Sequence, residues 1–452
     1  MAVPGRTRPR RLLGALAGAL ALIAQDATMA GDLAYEFSVE AGQSDNITRQ
    51  AVDPIDETIA ALGLRFSFDQ RGSRVESDLV GNLAYNDYLD DTYDSDFLGN
   101  FVGNVSVELI PERVRWVVSD NFGQVLTDPF MPATPENREN LNYFSTGPEA
   151  TFALGSQTQM NAGARYSMTS YESSDFDSEG VLAQLGLERL LSKSSSLGLN
   201  VSWQDVTYDD AIVNADYDEA EAFLRFSATG ARTHLRIDAG YNEINHDLDN
   251  VSDSGPLFRI EASRRVSARS RATLDAGHEF SGSGSAFASA QGGGEITLDP
   301  IGGRQTALPF MLDHVRLAWR LNRNRTQFGL MGSWNSQEYS DAPILDQSFT
   351  NIGGSVAHDI SPALNLQVEL LSADGNFEQP GGDYQDFTAG LSLRWHASRR
   401  LSLSFSYNYF DRDGDEVASG YEENRFWISL AYSYSEPRTA LLQPEFAGDA
   451  QN

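Results

Sequence analysis

The stretch from Leu401 to Tyr434 decides the fold. In its first half, apolar and aromatic residues alternate with small polar ones: Leu401, Leu403, Phe405, Tyr407 and Tyr409 against Ser402, Ser404, Ser406 and Asn408. Because successive side chains of a β-strand point to opposite faces, this alternation predicts a strand with one apolar and one polar face. Phe426 to Tyr434 repeats the pattern after the acidic segment from Asp411 to Gly420. Such a hairpin fits either a sandwich or a membrane barrel.

Composition excludes several classes of protein and of functional site. Mean hydropathy is −0.36 although 41% of the residues are hydrophobic, and no long apolar run follows residue 30. This excludes a helical membrane protein but fits a β-barrel, in which polar and apolar residues average out along each strand. The formal net charge of −31 makes nucleic acid a poor partner, because repulsion replaces counterion release. The absence of cysteine removes disulfides, thiolate metal sites and cysteine nucleophiles.

Residues 1–30 have the features of a cleaved secretory signal peptide. Arg6, Arg8, Arg10 and Arg11 precede the apolar run from Leu12 to Ala24, and Thr28 to Ala30 offers small residues for cleavage. An uncleaved membrane helix would need about 20 apolar residues. We therefore expect an exported barrel over residues 31–436, followed by a short periplasmic tail over residues 437–452.

The alternation recurs in hairpin after hairpin and predicts a transmembrane antiparallel β-barrel of about twenty strands, within a range of roughly 16 to 22. The hairpins lie near residues 33–40, 62–85, 96–123, 142–171, 179–208, 217–244, 256–281, 307–339, 347–376, 384–412 and 426–434, the first and last ranges being single strands. Turns within hairpins are short and often basic, whereas connections between hairpins are longer and acidic. This sorting is typical of outer-membrane barrels, with short periplasmic turns and long extracellular loops. It places the protein in the outer membrane of a Gram-negative cell.

Three features concern the long-loop rim. Ten tyrosines near the strand ends suggest an aromatic girdle at the lipid headgroups: Tyr88, Tyr143, Tyr171, Tyr208, Tyr217, Tyr241, Tyr339, Tyr384, Tyr409 and Tyr421. The glycine-rich segment 281–306 is one long loop if the strand number is even, or holds a further strand from Ala286 to Leu298. The segment from Asp120 to Asn140 is a second long loop that could fold inward as a constriction.

Charged residues on the polar parity are the candidates for lining the lumen. They are Glu36, Glu40, Arg65, Glu76, Asp78, Arg225, Arg236, Asp238, Asp275, Arg316, Arg320, Glu369 and Arg394. In one interpretation they form a hydrated wall of mixed charge that sets selectivity; in the other they are ion pairs that brace a plugged barrel. The sequence pattern is compatible with both.

Sites for catalysis or metal binding are weak by comparison. The six histidines are scattered, no nucleophile or phosphate-loop motif occurs, and we expect neither enzyme activity nor a cofactor. Asp411, Asp413 and Asp415 place carboxylates at alternate positions beside Gly414, loosely like a calcium loop without its full ligand pattern. A solvated loop is the stronger interpretation, and cation bridging to lipopolysaccharide phosphates is the functional alternative.

A family resemblance rests on the segment Glu40 to Arg49, directly after the first strand, and on the hairpins through residues 142–244. These resemble outer-membrane β-barrel porins of Gram-negative bacteria that accompany exopolysaccharide and PEP-CTERM or exosortase gene clusters, including EpsL-like proteins. The resemblance implies passage of a polysaccharide or other polar solute across the outer membrane.

The function predicted from the sequence is therefore a porin-like channel for hydrophilic solutes or exported polysaccharide. The alternative is a non-conducting barrel that acts as a structural or surface-binding component of polysaccharide assembly. The expected partners are outer-membrane lipid and lipopolysaccharide, with polysaccharide or export-system proteins as further candidates.

Overall fold

The computed structural model describes residues 31–209, 216–246, 251–292, 303–340, 342–415 and 420–435. The expected signal peptide and C-terminal tail lie outside these residues. One antiparallel sheet contains all the strands. They are β1 (Asp32–Ser44), β2 (Glu57–Arg71), β3 (Val75–Tyr88), β4 (Asp96–Ile110), β5 (Val114–Leu126), β6 (Arg138–Ala153), β7 (Thr158–Tyr171), β8 (Ser178–Ser192), β9 (Ser195–Tyr208), β10 (Tyr217–Thr229), β11 (Thr233–His246), β12 (Val251–Ser267), β13 (Ser270–Ser281), β14 (Phe310–Arg323), β15 (Thr326–Glu338), β16 (Gln347–Ser361), β17 (Leu364–Phe377), β18 (Tyr384–His396), β19 (Leu401–Gly414) and β20 (Tyr421–Ser435).

The sheet closes on itself. Each strand pairs with its neighbours in sequence, and β1 also pairs with β20, from Ser44 opposite Arg425 to Tyr35 opposite Ser435. Closure gives hydrogen-bond partners to the backbone N–H and C=O groups that an open edge would leave unpaired. A sheet that crosses a membrane must meet this requirement. The predicted antiparallel barrel of about twenty strands is confirmed, with a 20-stranded sheet.

The two faces of the wall differ as the alternation predicts. Phe37, Leu199, Leu317 and Ile428 lie on the outer face, and each is about half exposed. On the opposite parity, Glu36, Asn100 and Asp238 point into the lumen and are buried. The outer face is therefore suited to hydrocarbon and the inner face to water or polar contacts.

The connections sort into two rims. Those following the even-numbered strands are short, such as residues 72–74 and 111–113, whereas those following the odd-numbered strands include most of the long segments. We call these the short-turn rim and the long-loop rim; in outer-membrane barrels they face the periplasm and the exterior, respectively. Strands β1 and β20 have their free ends at the short-turn rim.

Two predicted boundaries need correction. Strand β5 continues to Leu126 and β6 begins at Arg138, so the loop is shorter than the predicted segment from Asp120 to Asn140. Strand β19 likewise continues to Gly414, so Asp411 and Asp413 belong to a strand rather than to a loop. In both cases cross-strand hydrogen bonding to the neighbouring strand extends the ladder through polar residues that local propensity assigns to loops.

The segment after β13 contains a helix, α1 (Ser283–Gly292), where the sequence allowed a further strand from Ala286. Residues 293–302 lie outside the described residues. The interpretation of 281–306 as a connection within an even-stranded barrel is therefore confirmed for the part that is described. Among the described residues, no helix is both long and apolar enough to cross a membrane.

At the long-loop rim, two hairpins separate from the wall on one side. Pairing of β5 with β4 ends at Phe122 opposite Phe101, although β5 continues to pair with β6 as far as Leu126. Pairing of β13 with β12 ends at His278 opposite Phe258, and the side-chain amide of Asn242 on β11 accepts a hydrogen bond from the Phe280 N–H, 3.0 Å away. The ends of these hairpins therefore depart from the wall near the mouth.

Candidate functional site

The lumen contains a cavity of about 1610 Å³. Its lining extends from Glu108 and Arg115 at the short-turn rim to Arg49 and Tyr421 near the long-loop rim. Residues of α1 also line it, so the helix forms part of its boundary on the long-loop side. A barrel of this strand number encloses more space than its own wall side chains fill.

Helix α1 follows β13 and contacts the inner wall at two places. Phe287 is 3% exposed and packs in a hydrophobic cluster with Val125, Leu141 and Tyr171. On β14, the neighbour of β13, the Arg316 guanidinium donates to the Ser289 carbonyl at 3.2 Å. The helix is therefore held by apolar packing on one wall and by a charge-assisted hydrogen bond on another.

The loop between β5 and β6 also folds over the mouth, as the sequence suggested for a constriction. Its Phe130 is 6% exposed, and the centre of its ring lies 4.9 Å from that of Phe377 on β17. The Arg304 guanidinium lies over the Phe130 ring, 5.3 Å from the ring centre. The Ala133 carbonyl accepts a hydrogen bond from Arg49 at 3.1 Å. These contacts join segments from distant parts of the barrel into a cap, defined here as α1 with residues 127–137 and 303–309.

Most of the rim tyrosines belong to this capped region, so the predicted lipid-facing girdle is wrong for them. Strand pairing places the following on the inward parity: Tyr88, Tyr143, Tyr171, Tyr208, Tyr217, Tyr384 and Tyr421. Tyr339 directly follows β15 and is buried against Phe310. Tyr241 and Tyr409 are on the outer parity. Residue spacing could have revealed this, since Tyr88 shares its parity with Asp78 and Asn82. Burial raises the pKa of Tyr339, which follows β15, to about 12.

Arginines and aromatic rings alternate on the inner face of β18 to β20. The Arg412 guanidinium lies 4.0 Å from the Tyr384 ring centre and is bonded to Asp386 at 2.6 and 2.7 Å. Arg49 lies 4.8 Å from the Phe410 ring centre and bonds to Glu423 at 2.9 Å. Cation–π and bidentate contacts of this kind fix guanidinium groups in partly buried places. The sequence analysis included Tyr384 only as a rim tyrosine and assigned no role to Arg412, which lies between two of the three proposed calcium ligands.

Three of the predicted lumen residues form one cluster at the closure of the barrel. Glu36 on β1 is 2% exposed and forms ion pairs with Arg65 on β2 and with Arg394 on β18, the latter at 3.4 Å. It also accepts a hydrogen bond from the Ser433 hydroxyl on β20 at 2.7 Å. The cluster therefore ties β1 to strands on both of its sides.

A second group of charges lies on β10 to β14. Asp238 pairs with Arg225 at 2.7 Å, and Arg236 pairs with Glu261 at 3.0 Å. Asp275 lies 3.2 Å from His314 and 3.8 Å from Arg316. Between these pairs, Arg259 bridges two further carboxylates that the sequence reasoning missed, Glu221 and Glu279.

The remaining predicted lumen residues lie apart from these clusters, on the inward parity. Glu40 accepts a hydrogen bond from Ser38 of its own strand at 2.5 Å, and Glu369 accepts one from Gln367 at 2.6 Å. Glu76 and Asp78 lie near the short-turn rim of β3, and Arg320 lies near that rim on β14. The inner wall thus contains ion pairs in two clusters and further charged side chains outside those clusters.

The proposed calcium ligands do not converge. Asp411 and Asp413 are on the outer parity of β19, and Asp415 follows the strand. In the described part of the chain, no group of three or more acidic, histidine or cysteine side chains has the geometry of a metal site.

Comparisons with known proteins found matches only among solved structures. No protein-family model and no curated protein matches the chain. A mutant of the ferric enterobactin receptor PfeA from Pseudomonas aeruginosa is similar over 89% of this chain and 80% of that chain, with 10% identity and a TM-score of 0.45. The FrpB iron transporter from Neisseria meningitidis gives 8% identity, 89% and 83% coverage, and a TM-score of 0.42. The outer membrane protein opdK from Pseudomonas aeruginosa gives 11% identity, 89% and 99% coverage, and a TM-score of 0.34.

Proposed function

We propose that this protein is a capped outer-membrane channel, which passes hydrophilic solutes when the cap moves. The observation that carries the proposal is the lumen cavity of about 1610 Å³, whose lining combines charged and polar side chains with apolar ones and which is bounded by α1 on the long-loop side. A hydrated wall of mixed charge favours solutes that keep their water or exchange it for hydrogen bonds. The ion pairs on β10 to β14 would hold the wall in shape around such a solute.

The cap is suited to movement because it is made of connections rather than of wall strands. Residues 127–137 touch the far side of the mouth mainly through Phe130 and the Ala133 carbonyl. Loops of this type have lower local stability than the ladder that carries them. Exported polysaccharide, which the family resemblance implies, is our proposal for the solute, since sugar hydroxyls suit the polar lining.

Planar-bilayer conductance of the purified barrel tests the proposal. Replacing Phe130 with alanine removes the ring between Phe377 and Arg304, so we expect a higher mean conductance and more frequent open events than in the wild type. The control is Phe405→Ala, which removes an equal side chain from the outer face, where Phe405 is 47% exposed. Its conductance should equal that of the wild type.

A specific observation also favours the second candidate function, a non-conducting structural barrel. Tyr171 is buried against Phe287 of the cap, and Tyr217 is buried against Val206, Ile244 and Phe280 of the wall. If neither the wild type nor a double variant, Phe130→Ala with Phe287→Ala, carries steady current although both are folded, the channel proposal is wrong. The structural alternative would then stand.

A further inference from the structure

Strand pairing in the barrel wall is interrupted between β4 and β5 at the long-loop rim. In the described structure, residues 96–100 of β4 pair with β3 but not with β5, and residues 123–126 of β5 pair with β6 but not with β4. On the opposite flank of this hairpin, pairing of β6 with β7 begins only at Leu141 opposite Tyr171. Residues 123–140 are therefore unpaired with wall strands on both flanks, and we call them the lid.

The base of the lid is buried on the side that faces lipid elsewhere on β5. Phe122, Gln124 and Leu126 have the outer parity of β5, but they are only 7%, 6% and 4% exposed. Trp116 has the same parity further along the strand and is 41% exposed. Phe122 lies against Gly99 of β4, where a Cβ atom would be 2.6 Å from the Phe122 ring. The lid therefore lies inside the wall rather than in line with it.

The lid covers the cavity and supports the helix of the cap. Leu126 and Ala133 of the lid line the cavity. Phe287 of α1 packs on Val125 of the lid and on Leu141 at its base. Because neither flank of the lid pairs with a wall strand, the lid can be displaced while the ladder of the wall stays intact. Such a displacement would uncover the lumen from the long-loop side.

The flank of the lid beside β7 is fastened by several hydrogen bonds. The Glu139 carboxylate accepts hydrogen bonds from the backbone N–H groups of Ser173 and Ser174, at 3.0 and 2.8 Å. The Glu172 N–H donates to the Asn140 carbonyl oxygen at 3.0 Å. These bonds join the lid to the connection after β7, so this flank has the contacts expected of a hinge.

The flank beside β4 is held by a different kind of contact, an ion pair. Arg138 of the lid pairs with Asp96 at the end of β4, and their side chains are 12% and 20% exposed. The Tyr88 hydroxyl donates to Asp96 at 3.4 Å. On the same flank, the Oε1 atom of Gln124 is buried without a hydrogen-bond partner in the described structure. Since buried polar atoms in a settled interface are normally bonded, the lid is less well matched to β4 than to the β7 side.

We propose that the lid is hinged beside β7 and latched to β4 by the Arg138–Asp96 ion pair, and that breaking this pair uncovers the lumen. Neutralising one partner of a partly buried ion pair leaves the other charge uncompensated, so the latched position loses stability. This inference rests on the proposed function for its role in transport. Movement of the lid itself requires no ion current, and the two can therefore fail separately.

Distances between spin labels test the movement directly. The chain contains no cysteine, so nitroxide labels attach only to introduced ones. Leu89→Cys, after β3, and Met131→Cys, in the lid, put labels at exposed positions on the two sides of the latch. Double electron–electron resonance on the purified barrel should give one main distance. Asp96→Asn or Arg138→Gln should at least double the fraction of molecules at a longer distance.

Asp386→Asn is the matched control. Asp386 also forms an ion pair, with Arg412, in the long-loop half of the barrel, but β18 and β19 stay paired as far as Tyr384 opposite Gly414. This variant should keep the distances of the wild type. Unchanged distances in both latch variants, or the same additional distance in the control, would overturn the proposal.

Two further measurements separate lid movement from unfolding and from transport. Labels at Leu185 and Leu317, on the outer face of the wall, should keep the wild-type distance in every variant. In planar bilayers, the latch variants should open more often than the wild type. A lid that moves without any current would contradict the proposed function alone, whereas steady current through a barrel whose lid stays fixed in the latch variants would contradict the lid proposal alone.

Discussion

Removal of the Glu36 carboxylate should weaken the closure of the barrel more than any comparable change on the same strand. The side chain is almost completely buried and bonds to Arg65, Arg394 and Ser433. Glu36→Ala leaves two guanidinium groups without this partner and one hydroxyl without an acceptor. Breaking a buried ion pair costs about 3–5 kcal/mol.

The actual cost should be smaller, since Arg65 and Arg394 keep side-chain exposures of 34% and 28% and can bind water. After this reduction for solvent exposure, loss of the two ion pairs should lower the free energy of unfolding by about 2–3 kcal/mol. Loss of the Ser433 hydrogen bond should lower it by about 1 kcal/mol more. The free energy of unfolding should therefore fall by about 3–4 kcal/mol. With a urea dependence of about 3 kcal/mol per molar, the midpoint moves by about 1 M.

Urea unfolding in phospholipid vesicles, followed by tryptophan fluorescence, measures this difference. Glu40→Ala is the control, because Glu40 lies four residues further along the same face and accepts its hydrogen bond from Ser38 of its own strand. We expect that variant to lose less than about 1 kcal/mol. Equal midpoints for the two variants would refute the conclusion that Glu36 fastens the closure.

Two further predictions concern packing and ionisation. Gly147→Ala would place a Cβ atom 1.9 Å from the Ala164 carbonyl oxygen, so the free energy of unfolding should fall by about 1–3 kcal/mol in the same urea assay. Gly155→Ala is the control, because a Cβ atom there would have nothing within 4 Å, and it should change the free energy of unfolding by less than about 0.5 kcal/mol. Tyr339, with a pKa of about 12 against 10.0 for an ordinary tyrosine, should stabilise the fold fully below pH 10 and lose that contribution as pH rises towards 12. The difference in phenolate absorbance between wild type and Tyr339→Phe checks this, and a difference step centred at pH 10 would contradict it.

The membrane-facing architecture could be predicted from the sequence because its determinants are local. A side-chain period of two divides Leu401 to Tyr409 into two faces without reference to the rest of the chain. Alternation of short turns with longer acidic connections likewise sets the two rims. The same pattern predicted that Glu36, Arg65 and Arg394 lie on the inner face. The ion pairs of Glu36 with these two arginines form only because the closed wall is curved.

Only the tertiary structure shows how the long-loop rim is arranged and that a cap lies over its mouth. Tyr171 and Tyr217 were assigned to lipid headgroups by their position near strand ends. In the structure, Tyr171 is buried against Phe287 of the cap, and Tyr217 is buried against Ile244 on the inner wall. The path of a loop depends on partners across the lumen, such as Phe377 for Phe130, and such partners have no fixed spacing in sequence. The alternating strands therefore determine a closed barrel by themselves, but whether its mouth is open or capped depends on long-range packing that only the folded chain establishes.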